Sequence, residues 1–496
     1  MPNRRPDRRS TPSVAALWAI AFAVLVAMHA PYLKLPYYWD ELGQFVPQTL
    51  DLYHEGRLIV PLHTLPNVHP PGLEAVLALV WRLTGGPSIV SSRLLMLAIA
   101  AFAVVGSFLL AIRLSRKATG VPAFAALLLL LASPLFYTQS MMVQLDMPAM
   151  AFSIWALLFF FEGRLRASVA MATVAVLMKE TSAVLPVVLG LWLLMKERNP
   201  RRAAVYVIPC AALAIWIAVL WNATGNPLGS TEFSQYNASY SLHPVRLSFA
   251  ILRRIFYLFT AEFRWIGTAA LLWAWRKTNW LRSPEWAVAG LFAALHVLAV
   301  SAFGGAVLER YLCPVLPILF AAFGIAWGCL RGNLRIAVPA LAVIGSLLSM
   351  VWYPAYPFPF ENNLAMMDLV AIHKLAADYV AGEPDIKTVA TVWPLTDALR
   401  RPEFGYVRKP VQAIELHDFR KANLRNAQDQ RVDALIVYSR VWEPRHGVQT
   451  FRPIQRFLEL YYGDAPAATG REIEAALGLQ SKLKWEYRGM WVEVYR

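Results

Sequence analysis

Cysteine is scarce in this chain, with three among 496 residues. Cys210, Cys313 and Cys329 each fall inside an apolar stretch, with no CxxC spacing, which excludes a disulfide framework and a zinc ribbon. Charge is scarce too. Asp, Glu, Lys and Arg together make up 16% of the residues, against about 25% in an ordinary soluble domain. Acidic residues are the fewest, 32 against 47 Lys and Arg. There is no Gly-rich phosphate loop, so a nucleotide-driven pump finds no support, and no internal repeat or low-complexity tract.

What fills the chain is apolar. Hydrophobic residues make up 57% of the sequence and the mean hydropathy is +0.44, so water alone is not its solvent. A balance of +15 would suit a nucleic-acid partner, but the cations sit in short clusters between apolar runs, as orientation in a bilayer requires.

A bilayer core takes roughly 20 apolar residues per helix, and on that rule about eleven spans are expected. Their limits are near 14–33, 88–112, 119–136, 147–161, 166–178, 182–195, 203–221, 251–275, 285–302, 311–330 and 335–353. The connections rich in cations (Arg4, Arg5, Arg8, Arg9; Arg113, Arg116, Lys117; Arg164, Arg166; Lys196, Arg198, Arg201, Arg202; Arg276, Lys277, Arg282; Arg331, Arg335) alternate with poor ones, which makes the rich set cytoplasmic. The basic and apolar amino terminus also resembles a signal peptide, but no small-x-small cleavage site follows it, so an uncleaved first span is expected. An odd count then puts the carboxyl terminus outside. The expected architecture is an all-α polytopic membrane domain, residues 1–353, followed by a small soluble α/β domain, residues 354–496.

Three regions fall on the outer side. The loop 34–87 carries WDELGQFVPQTLDLYHEGRL and NVHPPGLEAVLALVWRLTGG, whose apolar periodicity suits helices lying along the membrane surface. The loop near 222–250 is rich in turn formers. The last region opens with a helix in NLAMMDLVAIHKLAADYVAG that stops at Gly382, continues with strands in KTVATVWP and VDALIVYS, and ends in a hairpin turning at Arg488-Gly489.

Carboxylates near a membrane are costly unless solvated, paired or used. Asp40 and Glu41 follow the first span closely and read either as a solvated cap for a surface helix or as working groups. Asp146 heads the fourth span, where Pro148 makes a simple N-cap the plainer reading. The two aspartates nevertheless come from distant segments and fall at one depth on one side. Lys179 and Arg310 fall at the same depth and read either as snorkelling cations, paired to Glu180 and Glu309, or as a site for an anionic group such as a phosphate. His69 in HPPG is a lone histidine beside two prolines, and no companion ligands for a metal can be identified.

The WDE of the first outer loop, the HPPG after it, the Asp at the head of the fourth span, the K-E-T turn and ERY-x-x-P-x-x-P together resemble the polyprenyl-phosphate-sugar glycosyltransferases of the membrane C-type fold. That family includes the protein O-mannosyltransferases and the aminoarabinose transferase of lipid A, and the likeness covers roughly residues 30–330. It implies inverting transfer of a sugar from a polyprenyl-phosphate-sugar donor to an acceptor hydroxyl on a lipid, glycan or protein, at the outer face of the plasma membrane. By this resemblance Asp40 would be the general base, Glu41 would help hold the acceptor and Asp146 would shape the pocket. Lys179, Arg310 and Tyr311 would hold the lipid phosphate, and His69, Glu180 and Arg57 would complete the pocket. Some relatives carry a divalent metal at the lipid phosphate, but its ligands cannot be identified here. No nucleotide or nucleic acid is implied. The loop motifs of the eukaryotic protein O-mannosyltransferases have no clear match. A transporter or lipid-linked-sugar flippase is the alternative, and its inverted repeats and midplane helix breaks are not evident. An assembly role for the outer domain is a third reading. Ala-, Leu- and Arg-rich usage suits a bacterial inner membrane with a periplasmic outer face.

Overall fold

The computed structural model describes residues 13–59, 68–115, 122–277, 279–355, 361–424, 427–428, 430–439 and 450–496. The expected cytoplasmic cations Arg4, Arg5, Arg8, Arg9, Arg116 and Lys117 lie outside the described residues.

Six described helices are long and apolar enough to cross a membrane, and a bent pair makes a seventh candidate. The six are Val14–Tyr32, Ile89–Leu114, Pro200–Thr224, Pro284–Ala302, Glu309–Gly328 and Leu334–Val351. The chain is a multi-pass membrane protein. The bent pair, Pro122–Ala132 and Pro134–Met141, turns by 63°. Pro134 lacks the N–H that would continue the helix and forces the extended backbone of Ser133 before it. Asp146–Phe161, Leu165–Met178, Glu180–Met195 and Trp265–Trp275 are apolar but shorter, so the count of eleven rests on segments below full spanning length.

The expected eighth span, 251–275, is two helices. Pro244–Phe259 is amphipathic, burying Arg254, Tyr257 and Leu258 while Leu252 and Phe256 stay exposed. The chain breaks after it at Glu262 and Phe263, both at positive φ, and Trp265–Trp275 follows. The break accommodates charge inside apolar surroundings. Arg264 is fully buried, paired to Glu262 at 2.6 Å, and donates to the Tyr257 carbonyl at 2.9 Å. A buried guanidinium is tolerable only with such partners.

In the outer loop, Glu41–Phe45 forms a π-helical turn that runs into Val46–Glu55, and Gly72–Thr84 forms the second surface helix. The loop near 222–250 holds Thr231–Ser234 and a π-helical turn, Gln235–Ser239.

After Ala365–Gly382 come five strands, β1 Thr388–Val392, β2 Gln412–Leu416, β3 Ala434–Tyr438, β4 Ser481–Tyr487 and β5 Met490–Tyr495. Their order is β2-β1-β3-β5-β4, with β1 parallel to both β2 and β3, and β5 antiparallel to β3 and β4. The hairpin turns where the sequence places it, with Arg488 and Gly489 both at positive φ as a two-residue turn between twisted strands demands. β2 is the strand the sequence hides. It lies on the sheet edge, and only Ala413 and Leu416 of its five residues are buried.

One apolar core runs without interruption from Leu25 to Tyr495, so the sheet domain packs onto the membrane domain. The contact centres on WDE. The Tyr37 N–H donates to the Phe404 carbonyl at 3.2 Å, and the Tyr406 hydroxyl donates to the Tyr37 carbonyl at 2.9 Å. Trp393 packs edge-on against Trp39, and its indole fills the space a side chain on Gly43 would need.

Gly43→Ala should therefore overpack the contact, at a cost of about 1–3 kcal/mol. The thermal unfolding midpoint should drop, and adding Trp393→Ala should restore part of the loss. A midpoint unchanged in Gly43→Ala would show that this contact carries no stability.

Candidate functional site

Five charged side chains from five separate segments meet at the end of the helices where the sheet domain docks. Arg310 is the hub. It lies in the 3₁₀ turn Glu309–Val315, where Pro314 and Pro317 set the approach to the helix Leu316–Gly328. Its Nη2 donates to Asp40 Oδ2 and its Nη1 to Glu361 Oε2 at 2.6 Å, while Nε lies 3.2 Å from Asp146 Oδ2. Asp146 Oδ1 accepts from Lys179 Nζ at 2.5 Å, and that ammonium lies 4.1 Å above the Tyr311 ring.

Local structure supplies each position. Asp146 is the first residue of its helix and makes no side-chain cap, so its carboxylate is free to face Lys179 while the helix dipole favours its charge. Asp40 precedes the π-helical turn, likewise without capping it. Lys179 is extended, between the helix Leu165–Met178 and the turn Glu180–Ala183. The plain capping readings of Asp40 and Asp146 thus give way to ion pairing. Asp40 is the most accessible of the five, its side chain 18% exposed against 8% or less for the others.

Three expectations change. Glu41 is fully buried and points its oxygens at structural partners. Arg93 Nη2 donates to Oε2 at 3.1 Å, the Tyr38 N–H to Oε2 at 2.8 Å, and the Val143 N–H to Oε1 at 2.6 Å. With both oxygens occupied, Glu41 braces the WDE segment and has no lone pair presented to an acceptor. Arg57 is half exposed and pairs with its neighbour Glu55 at 3.4 Å, because it follows the end of Val46–Glu55 on the surface. Its charge is satisfied by solvent and that neighbour, away from the cluster. His69 and Glu180 do meet, at 2.9 Å, but as a separate pair. No group of three or more His, Cys, Asp or Glu able to hold a metal occurs among the described residues, and Asp40, Asp146 and Glu361 are each engaged by a cation. The residues present do not fit a resident divalent ion.

The sequence reading missed three residues. Glu361 joins the cluster from the segment after the last apolar helix, where Gln144 Nε2 donates to its Oε1 at 3.0 Å. Burial pushes its carboxyl up to about 7, against the pull of Arg310. Arg93, fully buried, is Glu41's partner, and its signal was an arginine four residues into an apolar helix. Among the described residues, Arg254 is 1% exposed and hydrogen-bonds Ser301 by Nη1 at 3.2 Å, leaving Nε and Nη2 without hydrogen-bond partners. Its helix packs against the turn Glu309–Val315 that carries Tyr311.

Residues 68–222, from HPPG through Asp146 and Lys179, match the family model for dolichyl-phosphate-mannose-protein mannosyltransferase. No curated protein matches the chain by sequence. Among solved structures, ArnT from Cupriavidus metallidurans bound to undecaprenyl phosphate is similar at a TM-score of 0.54 and 16% identity, over 96% of this chain and 98% of that one. The apo state of the same protein gives 0.54 at 17% identity, over 97% and 98%. The chain has the C-type glycosyltransferase fold. The archaeal oligosaccharyltransferase AglB from Archaeoglobus fulgidus, in complex with an inhibitory peptide and a dolichol-phosphate, shares the fold at a TM-score of 0.50 and 10% identity, over 85% of this chain and 69% of that one.

Removing the hub should unbalance this C-type site. Arg310→Ala would leave three carboxylates together, two of them buried, and breaking a buried pair in this way costs about 3–5 kcal/mol. Thermal unfolding should register a large loss, and a midpoint within a degree of wild type would show that the carboxylates do not depend on Arg310. Glu361 predicts a pH dependence. Its folded pKa is raised from the ordinary 4.5, so its contribution to stability is full below about 4.5 and is lost as pH rises through about 7. The unfolding midpoint should fall across that window, and Glu361→Gln should flatten the fall.

Proposed function

We propose that this chain transfers a sugar from a polyprenyl-phosphate-sugar to an acceptor hydroxyl, with inversion, at the outer face of the plasma membrane. The observation that carries the reading is the accessible Asp40 carboxylate, fixed by Arg310 within a cluster that is otherwise buried. Asp40 takes the proton from the acceptor hydroxyl, whose oxygen attacks the anomeric carbon. The bond to the lipid phosphate breaks as the new bond forms, and the phosphate leaves with the bonding pair. Arg310 orients Asp40, and Asp146 with Lys179 holds Arg310 in place.

The phosphate assignment moves from the expectation that Lys179, Arg310 and Tyr311 hold it. Arg310 and Lys179 are matched by three carboxylates, so they leave no positive charge in excess. Arg254, with two buried nitrogens that have no partner among the described residues and on a helix packed against the turn Glu309–Val315, is the cation suited to the departing phosphate. Tyr311, whose ring lies 4.1 Å from Lys179 Nζ, completes that side. The sheet domain and the cluster share one end of the helices, while Arg113, Arg164 and Lys196 follow the opposite ends. The positive-inside rule makes that end cytoplasmic and the site extracytoplasmic, periplasmic in a bacterium. Transfer is favoured over transport by the cluster, whose five charged side chains gather at one end of the helices.

Purified wild type and Asp40→Asn should be compared for transfer of radiolabelled sugar from extracted polyprenyl-phosphate-sugar to membrane acceptors. The variant should be inactive while still folded and inserted, and retained transfer would strip Asp40 of its role. Arg254→Ala should raise the KM for the donor at least about tenfold, in keeping with roughly 1.5–3 kcal/mol for a charged hydrogen bond, and leave the KM for the acceptor alone. Equal effects on both would remove Arg254 from the phosphate.

A further inference from the structure

A cavity of about 1040 Å³ lies between the amphipathic helix Pro244–Phe259 and the sheet domain, with Trp39 in its wall. We propose that this cavity is the acceptor site and that its occupant is an oligosaccharide bearing the hydroxyl that Asp40 deprotonates. The proposal rests on the reading of Asp40 as the base, and Trp39, in the cavity wall, is the residue immediately before it.

The topology of the sheet domain points to the same place. β1 has a parallel neighbour on each side, and the chain leaves it toward β2 and returns on the far side as β3. In open α/β sheets ligands bind outside the carboxyl ends of the strands at such a switch point. Here Asp418, Phe419 and Arg420 follow the end of β2, and Tyr438 and Ser439 end β3, and all five line the cavity. Trp393, just past the end of β1, is the residue that docks on Trp39 and Gly43. The edge of the sheet that conventionally binds ligands is thus the edge pressed against WDE.

The chemistry of the wall selects the occupant. Flat, rigid faces come from Trp39, Phe457, Tyr462 and Trp491. Between them stand Asp418 and Arg420, paired at 3.4 Å, Asp464, and Arg253, which also holds Glu309 at 2.7 Å, supplied by both domains. A hydrocarbon chain would set those ionic groups against apolar surface, at a desolvation cost without return. Sugar rings present apolar faces to the aromatics, while their hydroxyls donate to carboxylates and accept from guanidinium groups. A peptide adding as a strand needs a free sheet edge, but the edges are β2 and β4, and β3 and β5 inside the sheet line the cavity. The volume lies at the upper end of the range for small-ligand sites, about 300–1,000 Å³, which suits a few sugar rings and excludes a folded protein.

The test applies fluorescently labelled full-length protein in detergent to an array of spotted oligosaccharides, phospholipids and Ser/Thr-containing peptides. Binding should concentrate on a group of oligosaccharides. Trp491→Ala, which removes an aromatic face, should weaken it at least about tenfold. Ile454→Trp, which fills the cavity from the helix Arg452–Tyr462, should do the same, so the test does not depend on one variant folding. Binding confined to peptides or to phospholipids, no binding to any glycan, or glycan binding untouched by both variants would each overturn the proposal. Failure of the transferase reading shows separately, as wild type that releases no sugar from polyprenyl-phosphate-sugar either to water or to membrane acceptors.

Discussion

Everything at the end of the helices where the sheet domain docks depends on the Arg310 guanidinium. One planar group ties the turn after the first helix, through Asp40, to the head of the helix Asp146–Phe161 and to the strap that leads into the sheet domain, through Glu361. The fork geometry of arginine allows this, and a lysine could not reproduce it. The second brace, between Arg93 and Glu41, sits one residue away along the chain and fixes the backbone that carries Asp40. Two neighbouring carboxylates therefore do different work. Glu41 spends both oxygens on structure, and Asp40 keeps one side open to solvent.

The sheet domain is part of this arrangement. Glu361 enters the cluster from the segment that joins the two domains, Tyr406 holds the Tyr37 carbonyl, and Trp393 occupies the space left by Gly43. The continuous core from the first helix to the last strand means that Asp40 cannot be positioned by the membrane helices alone. A glycine at position 43 makes physical sense only with the indole of a residue 350 positions later packed against it.

Much of this was legible in the sequence, because membrane helices and strands leave periodic signals that need no tertiary information. The apolar runs, the surface helices of the first outer loop, three of the elements after Pro354 and the hairpin at Arg488-Gly489 all follow from local pattern. So did the convergence of Asp40, Asp146, Lys179 and Arg310, since sidedness and depth can be counted along the chain. What could not be counted was partnership. Glu361 looked like the end of a proline-rich linker, Arg93 and Arg254 looked like ordinary cations near helix ends, and β2 carried too little apolar alternation to stand out. Glu41 and Arg57 erred the other way. Each lay near a motif, but the first is consumed by a partner 52 residues on and the second by solvent and its neighbour.

Charge balance orders the chemistry. The cluster holds three carboxylates and two cations, a net charge of −1 when all are ionised. Such a field is hospitable to a proton leaving a hydroxyl and hostile to a phosphate dianion. An inverting displacement needs the base and the leaving group on different sides of the reacting carbon, so a field uniform in sign would serve one and oppose the other. Asp40 and Arg254 belong to separate segments, both near the turn Glu309–Val315, and on the proposed reading they would give the two sides opposite sign. The unpartnered nitrogens of Arg254 cost stability in the unliganded protein, and a lipid phosphate that satisfies them would recover that cost on binding. On the proposed reading, the buried arginine and the carboxylate cluster would be complementary halves of one site, the first drawing the donor by its phosphate and the second receiving the acceptor's proton.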